Sequence, residues 1–257
     1  MNCPCPTPQS FVPEPLNTER IGNYETLKFP VLNSWVQFMQ PAATEEQSLP
    51  FTAQQFKDLV AALGAVQGIT GVRIYFASYK KDSPATDGII PSGKENLLTL
   101  IFAATGAGMN DTGDFFNIDY TGTTPAPAVK TLTAAMASDW VEYYQSIKLY
   151  LLQQAGMESD PGFLETKALW HPFSDFTDWL CIVNCSGQPG CPVVTNVQAS
   201  FSAYNPDENF ANQLGLMFEM TDSNAGTSKA LAGGDGGYDT GSPCPPLPGC
   251  AGSSLPA

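Results

Sequence analysis

Apolar residues recur at helical spacing in three stretches of the chain. Phe56, Leu59, Val60 and Leu63 mark a helix over 52–63. Thr52 and Gln55 ahead of them have the spacing of a capping box. Leu132, Met136, Trp140, Tyr143, Ile147, Tyr150 and Leu151 step by three or four, predicting the strongest helix over 129–155. Pro125 and Pro127 precede it and Gly156 ends it. Val31, Leu32, Trp35, Phe38 and Met39 predict a short helix over 29–40, stopped by Pro41. Asp160-Pro161, a cap followed by a first-turn proline, predicts a further helix ending before Pro172.

Elsewhere the pattern changes to that of strands. Val72 to Tyr79 is rich in β-branched and aromatic residues. Residues 97–104, LLTLIFAA, are almost wholly apolar, as in a strand covered on both faces. The 17 residues between them carry Pro84, Gly88, Pro91 and Gly93 without helical period, so a hairpin and an antiparallel pair are predicted. Residues 114–120, 193–204 and 214–221 read as further strands, and 174–183 fits either helix or strand. The expected fold is α+β: a mainly antiparallel sheet of about five strands, with the 52–63 and 129–155 helices packed on it. Residues 1–20, with five prolines, read as an extended arm; 21–222 as a single domain; and 223–257, rich in Gly, Pro and Ser, as a tail, mobile or draped over the body. No internal repeat is visible in the sequence.

Charge narrows the range of partners. Lys and Arg number 11 against 25 acidic residues, a net charge of −14. Such a chain repels phosphate backbones and anionic lipid, so neither nucleic acid nor a membrane is expected as partner. No apolar run approaches the 18 residues of a spanning helix, and the N-terminus lacks the basic and apolar regions of a secretory signal. The expected setting is cytoplasmic, with the tail cysteines Cys3, Cys5, Cys244 and Cys250 kept reduced rather than joined through a metal. The seven cysteines fall into groups at 3 and 5, at 181, 185 and 191, and at 244 and 250, a spacing that matches no standard zinc pattern. No cofactor is implied.

The helix and strand in FTAQQFKDLVAALGAVQGITGVRIYFASY, the following LLTLIFAATG and NDTGDFFNIDY, and the downstream DTGSPCPP with its later cysteine together resemble a set of uncharacterised proteins of the Bacteroidota. The resemblance covers roughly residues 50–120 and 235–250. It implies a bacterial protein and carries no activity with it.

Candidate chemistry is sparse. Arg73 is one of only two arginines and sits inside a strand. Alternation places Arg73, Tyr75, Ala77 and Tyr79 on one face, expected to be partly solvated. The arginine is expected to pair with a carboxylate, Asp114 or Asp119 being nearest in the pattern. The sharper alternative is an anion site of one guanidinium and two phenols, Arg73, Tyr75 and Tyr79. Asp111, Asp114 and Asp119, with Asn110, offer hard oxygen ligands for a divalent cation, but the EF-hand order is missing and a polar turn opening a strand is the preferred reading. The GGDGGYD stretch at 233–239 is a single unrepeated copy and carries no metal reading. The sole histidine, His171, is the only base that a Cys181 or Cys185 nucleophile could use, and no catalytic signature accompanies it. The expected function is therefore that of a non-enzymatic accessory or protein-interaction protein contacting partners through its tails. The alternative is an anionic-ligand binder or enzyme using the Arg73 face.

Overall fold

The computed structural model describes residues 5, 11–13, 15–80, 90–91, 93–118, 129–158, 160, 163–189, 191, 193–221, 236–238, 242–244 and 254–255. The fold is α+β. The chain opens with strand β1 (Phe11–Pro13), then helix α1 (Leu16–Asn23), which runs through a π-helical stretch (Tyr24–Lys28) into α2 (Phe29–Met39). Strand β2 (Ser48–Thr52) leads into α3 (Ala53–Gly64). Thr52 accepts from Gln55 N and Gln55 reaches back to Thr52 N, so the predicted capping box is formed. Strands β3 (Gly71–Ser78), β4 (Leu98–Thr105) and β5 (Asp111–Ile118) form an antiparallel meander.

Strand β6 (Val129–Leu132) precedes α4 (Ala134–Tyr144), a second π-helical stretch (Gln145–Leu149) and α5 (Tyr150–Met157). Then come β7 (Ala168–Pro172), α6 (Phe173–Asn184), β8 (Asn196–Ala203) and β9 (Leu214–Thr221). Two short strands from the C-terminal segment, β10 (Gly236–Tyr238) and β11 (Ser242–Cys244), complete the elements.

Several expectations are corrected. The 129–155 helix starts late, because Val129–Leu132 pairs with β5 and Thr133 caps the helix at Met136 N. No helix occupies 163–172: His171 and its neighbours form β7, paired with β3. The ambiguous 174–183 stretch is helix α6. Within the N-terminal arm, Phe11–Pro13 is a strand and Leu16 already begins α1. Within the C-terminal tail, β10 pairs with both β1 and β9, and β11 pairs with β7, so these pieces belong to the sheets of the body.

The strands divide into two sheets, ordered β1-β10-β9-β8-β2 and β11-β7-β3-β4-β5-β6, with every pair antiparallel. One face of each sheet enters a shared core: Val72, Ile74 and Phe76 from β3, Phe201 from β8, Leu216 and Phe218 from β9, with Phe56 of α3 and Phe176 of α6. Helix α4 packs on β3, and Trp140 lies edge-on to Tyr79, centroids 4.9 Å apart. Helix α1 packs on β8. The Arg73 face of β3, expected to be partly solvated, is therefore covered, and Tyr75, Ala77 and Tyr79 are fully buried beside Leu255.

The order of elements repeats. Strand, helix with π-turn, strand, helix and a three-stranded meander occur twice, β1 to β5 and β6 to β10. Under this correspondence the first sheet maps onto the second, β11 aside. Each sheet takes three strands from one half and two from the other. Tyr24 recurs as Tyr144, Lys28 as Lys148, Leu32 as Leu152, Glu45 as Glu165, Leu49 as Leu169 and Phe56 as Phe176, a constant offset of 120 residues (144 less 24). Val72 and Phe76 then recur as Val197 and Phe201, and Asn96, Leu98, Leu100 and Phe102 as Asn212, Leu214, Leu216 and Phe218. Both asparagines hold positive φ, 67° and 61°. The chain is thus an internal two-fold repeat with exchanged strands.

Candidate functional site

Arg73 lies on β3 between Ala103 of β4 and Trp170 of β7. Its guanidinium is ion-paired to Asp111, and Nη2 donates to Met109 O at 2.8 Å. The two side chains are 1% and 0% exposed. Tyr75 OH donates to the second oxygen of Asp111 at 2.6 Å, and Ser254 donates to that oxygen from its backbone N (2.9 Å) and its Oγ (3.0 Å). A carboxylate with this many donors is fixed in place. The place beside Arg73 that a ligand's acid group would take is filled by the protein's own Asp111. What the arginine binds is the tight β4–β5 turn, where Gly108 and Met109 both have positive φ.

The remaining sequence candidates do not converge on that cluster. Tyr79 OH stands 3.5 Å from Asn117 Oδ1. The partner of Arg73 is Asp111 rather than Asp114, whose carboxylate accepts from Thr112 Oγ1 (2.9 Å) in the β5 turn. Asp119 lies outside the described residues, as do Cys3 and Cys250 and part of the GGDGGYD stretch. His171 is buried among the rings of Phe176, Trp179 and Phe218, centroids 5.7 to 6.4 Å away, with Nδ1 3.5 Å from Asp175 Oδ2. Cys181 is not a free thiol: it forms a disulfide with Cys5, Cα atoms 5.7 Å apart. The Cys185 sulfur sits 3.1 Å from that of Cys5. This cross-link corrects the expectation that Cys5 is reduced.

Sequence reasoning missed the two buried ion pairs that join the halves. Lys28 Nζ donates to Glu165 Oε2 at 2.5 Å, and Lys148 makes the equivalent bond to Glu45. Each lysine therefore bonds the glutamate of the other half. Both glutamates are tied down alike: Glu45 Oε1 accepts from Leu98 N (2.8 Å) and Glu46 N (3.0 Å), Glu165 Oε1 from Leu214 N (2.5 Å) and Thr166 N (2.9 Å). Tyr24 OH donates to Glu46 O (2.9 Å) and Tyr144 OH to Thr166 O (3.4 Å). Burial pushes Lys148 below the usual lysine range, while the adjacent Glu45 carboxylate, which also hydrogen-bonds it, favours its charge. Burial, assisted by the Glu45 charge, holds both phenols well above the usual tyrosine range. The π-turns carry Tyr24 and Lys28 inward together, and neither turn contains glycine or proline.

Beside Lys28 the repeat is broken by a cleft of about 190 Å³, lined by Leu27, Lys28, Ala155, Gly156, Phe163 and Asn212, among others. Lys28 Nζ lies 4.7 Å from the Phe163 ring centroid. No protein-family model, no curated protein and no solved structure matches this chain.

Proposed function

We propose that the protein is a bacterial, non-enzymatic accessory protein that acts by binding a protein partner. The observation that carries this reading is an exposed apolar helix pair. Helices α2 and α5 pack side by side, and Phe38, Met39, Tyr150 and Met157 on them are 82%, 48%, 59% and 39% exposed. Exposed apolar side chains on two packed helices mark an interaction surface where they form one contiguous patch. The fate of the reactive groups supports the same reading: Arg73 is consumed by Asp111, His171 is packed among aromatic rings, and Cys181 is cross-linked. The tail pieces β1, β10 and β11 are engaged in the sheets, so the helical face rather than these pieces is the proposed contact.

No helix among the described residues is long and apolar enough to cross a membrane. The Cys5–Cys181 disulfide favours an oxidising compartment over the reducing cytoplasm first expected. The test is quantitative capture of a partner from the native host by parent and Phe38→Ser/Tyr150→Ser proteins. The double variant melts like the parent and loses the partner. Retention of the same partner by the variant, or turnover of any metabolite by the parent, refutes the reading.

A further inference from the structure

The two halves differ most where Lys28 and Lys148 lie. Around Lys148 the space is filled. The Trp35 ring centroid is 5.6 Å from Lys148 Nζ, Tyr143 packs edge-on to Trp35 at 6.2 Å, and Tyr143 OH donates to Asn96 Oδ1 at 2.6 Å. In the other half, at the same offset of 120, Trp35 becomes Ala155 and Tyr143 becomes Asn23. Asn23 turns away to donate to Asn205 Oδ1 at 2.7 Å. Asn212, the counterpart of Asn96, is left lining the open cleft. Gly156 replaces Val36, and Phe163 lies so close over it that an added Cβ would collide with the ring. Phe163 thus refills part of the volume. About 190 Å³ remains open, and roughly 150 Å³ is enough to admit a benzene ring.

We propose that the cleft beside Lys28 is a binding site for a small indolic or phenolic compound. Phe163 already gives Lys28 a ring, 4.7 Å away, so the ligand supplies what Tyr143 supplies in the other half: an aromatic group in the remaining volume with an N–H or O–H donor for the Asn212 carbonyl oxygen. The charge balance further selects the class. Lys28 is already neutralised by Glu165, and Asp160 also lines the cleft. A ligand carboxylate therefore meets no uncompensated cation and one nearby anion. Neutral or amine-bearing aromatics are accepted and aromatic acids are not. The lining of this cleft shares no residue with the exposed helix face on which the proposed function rests.

The full disulfide-bonded chain is titrated by ligand-observed NMR with indole, tryptamine and indole-3-acetate. Indole and tryptamine bind saturably at one site with a Kd below about 1 mM, and indole-3-acetate binds at least about tenfold more weakly, a difference of a single unfavourable charge contact. Ala155→Trp fills the cleft as the other half is filled and abolishes indole binding. Ala155→Leu, which adds a smaller group, weakens it at least about tenfold and serves if the larger ring prevents folding. Absence of indole binding up to 10 mM, parent-like binding by a folded Ala155 variant, or tightest binding by indole-3-acetate overturns the assignment.

Discussion

Phe76 and Phe201 face each other with ring centroids 6.2 Å apart, and they are the same position in the two halves of the chain. Each also packs on the tyrosine of the other half's π-turn: Phe201 on Tyr24 at 5.6 Å and Phe76 on Tyr144 at 6.0 Å. Replacing either phenylalanine by alanine costs about 3–5 kcal/mol of unfolding free energy. Because the two share one contact, the double variant departs from additivity by about 0.5–3 kcal/mol. Urea titrations of the four proteins measure the coupling; strict additivity would show that the halves pack independently.

The Lys148–Glu45 pair is costly to break from one side. Lys148→Met leaves the Glu45 carboxylate buried without its cation and lowers stability by about 3–5 kcal/mol. Adding Glu45→Gln to that variant recovers part of the loss, since the carboxamide oxygen still accepts from Leu98 N. A double variant weaker than the single one would contradict this account.

The buried phenols set an alkaline limit. The folded pKa of Tyr24 and of Tyr144 lies above the unfolded value, so the native state keeps protons that the unfolded chain releases. Their contribution is complete below the ordinary tyrosine pKa of about 10 and is lost as pH rises through the folded value. Absorbance titration at high pH finds these two phenols ionising only with unfolding. Tyr24→Phe and Tyr144→Phe each make the fall of stability with pH shallower.

Asp111 gathers the C-terminus into the core. Ending the chain at residue 253 removes both Ser254 donors and the buried Leu255, and lowers stability by at least about 1.5–3 kcal/mol, the scale of hydrogen bonds to a charged group. Arg73→Ala costs more, about 3–5 kcal/mol, because the carboxylate is stranded. Arg73→Lys falls between, since an ammonium cannot serve Asp111 and Met109 O with the same planar fork. Calorimetry of the three variants gives the order; equal melting of parent and Arg73→Ala would remove Arg73 from the structural frame.

Reduction of the Cys5–Cys181 disulfide releases the N-terminal segment from α6 and lowers stability by about 2–4 kcal/mol. Peptide mapping under oxidising conditions finds Cys5 linked to Cys181, with Cys185 alkylated only after denaturation, as its burial requires. A reduced protein that unfolds at the oxidised midpoint would show that the cross-link does not constrain the fold.

Much of the fold was legible where one element's own pattern decided it. The capping box at Thr52, the β3–β4 hairpin and the strands at 196–203 and 214–221 announce themselves through local chemistry. The repeat did not, for a physical reason. Its conserved positions are scattered buried ones, and its offset slips from 120 at Tyr24 to 125 at Phe76 and 116 at Phe102 as loop lengths differ (144, 201 and 218 being their counterparts). The ion pairs were equally hidden. Nothing in YETLK or QSIKL signals a π-turn, and Glu45 and Glu165 look like surface residues until the partner lysine is brought from the other half. The partner of Arg73 was missed because β5 begins at Asp111, three residues before the strand read from the sequence at 114–120, whose own carboxylates Asp114 and Asp119 drew attention instead. The cleft needed both halves in view, since only the comparison of Trp35 with Ala155 reveals it.

The exchange of strands also governs how the protein comes into being. When synthesis has reached Ile118, the meander β3-β4-β5 is complete, yet β7 and β6, which flank it, have not been made. Strand β2 waits longer still, for β8. The first half therefore emerges without the flanking strands β6 and β7 and without α4, which packs on β3. Both sheets close late and together, a non-local topology that folds slowly and leaves a half-made chain prone to aggregation. A ribosome stalled midway holds no finished domain, and a fragment cut at the midpoint has its missing strands only in a second copy of itself or in the other fragment.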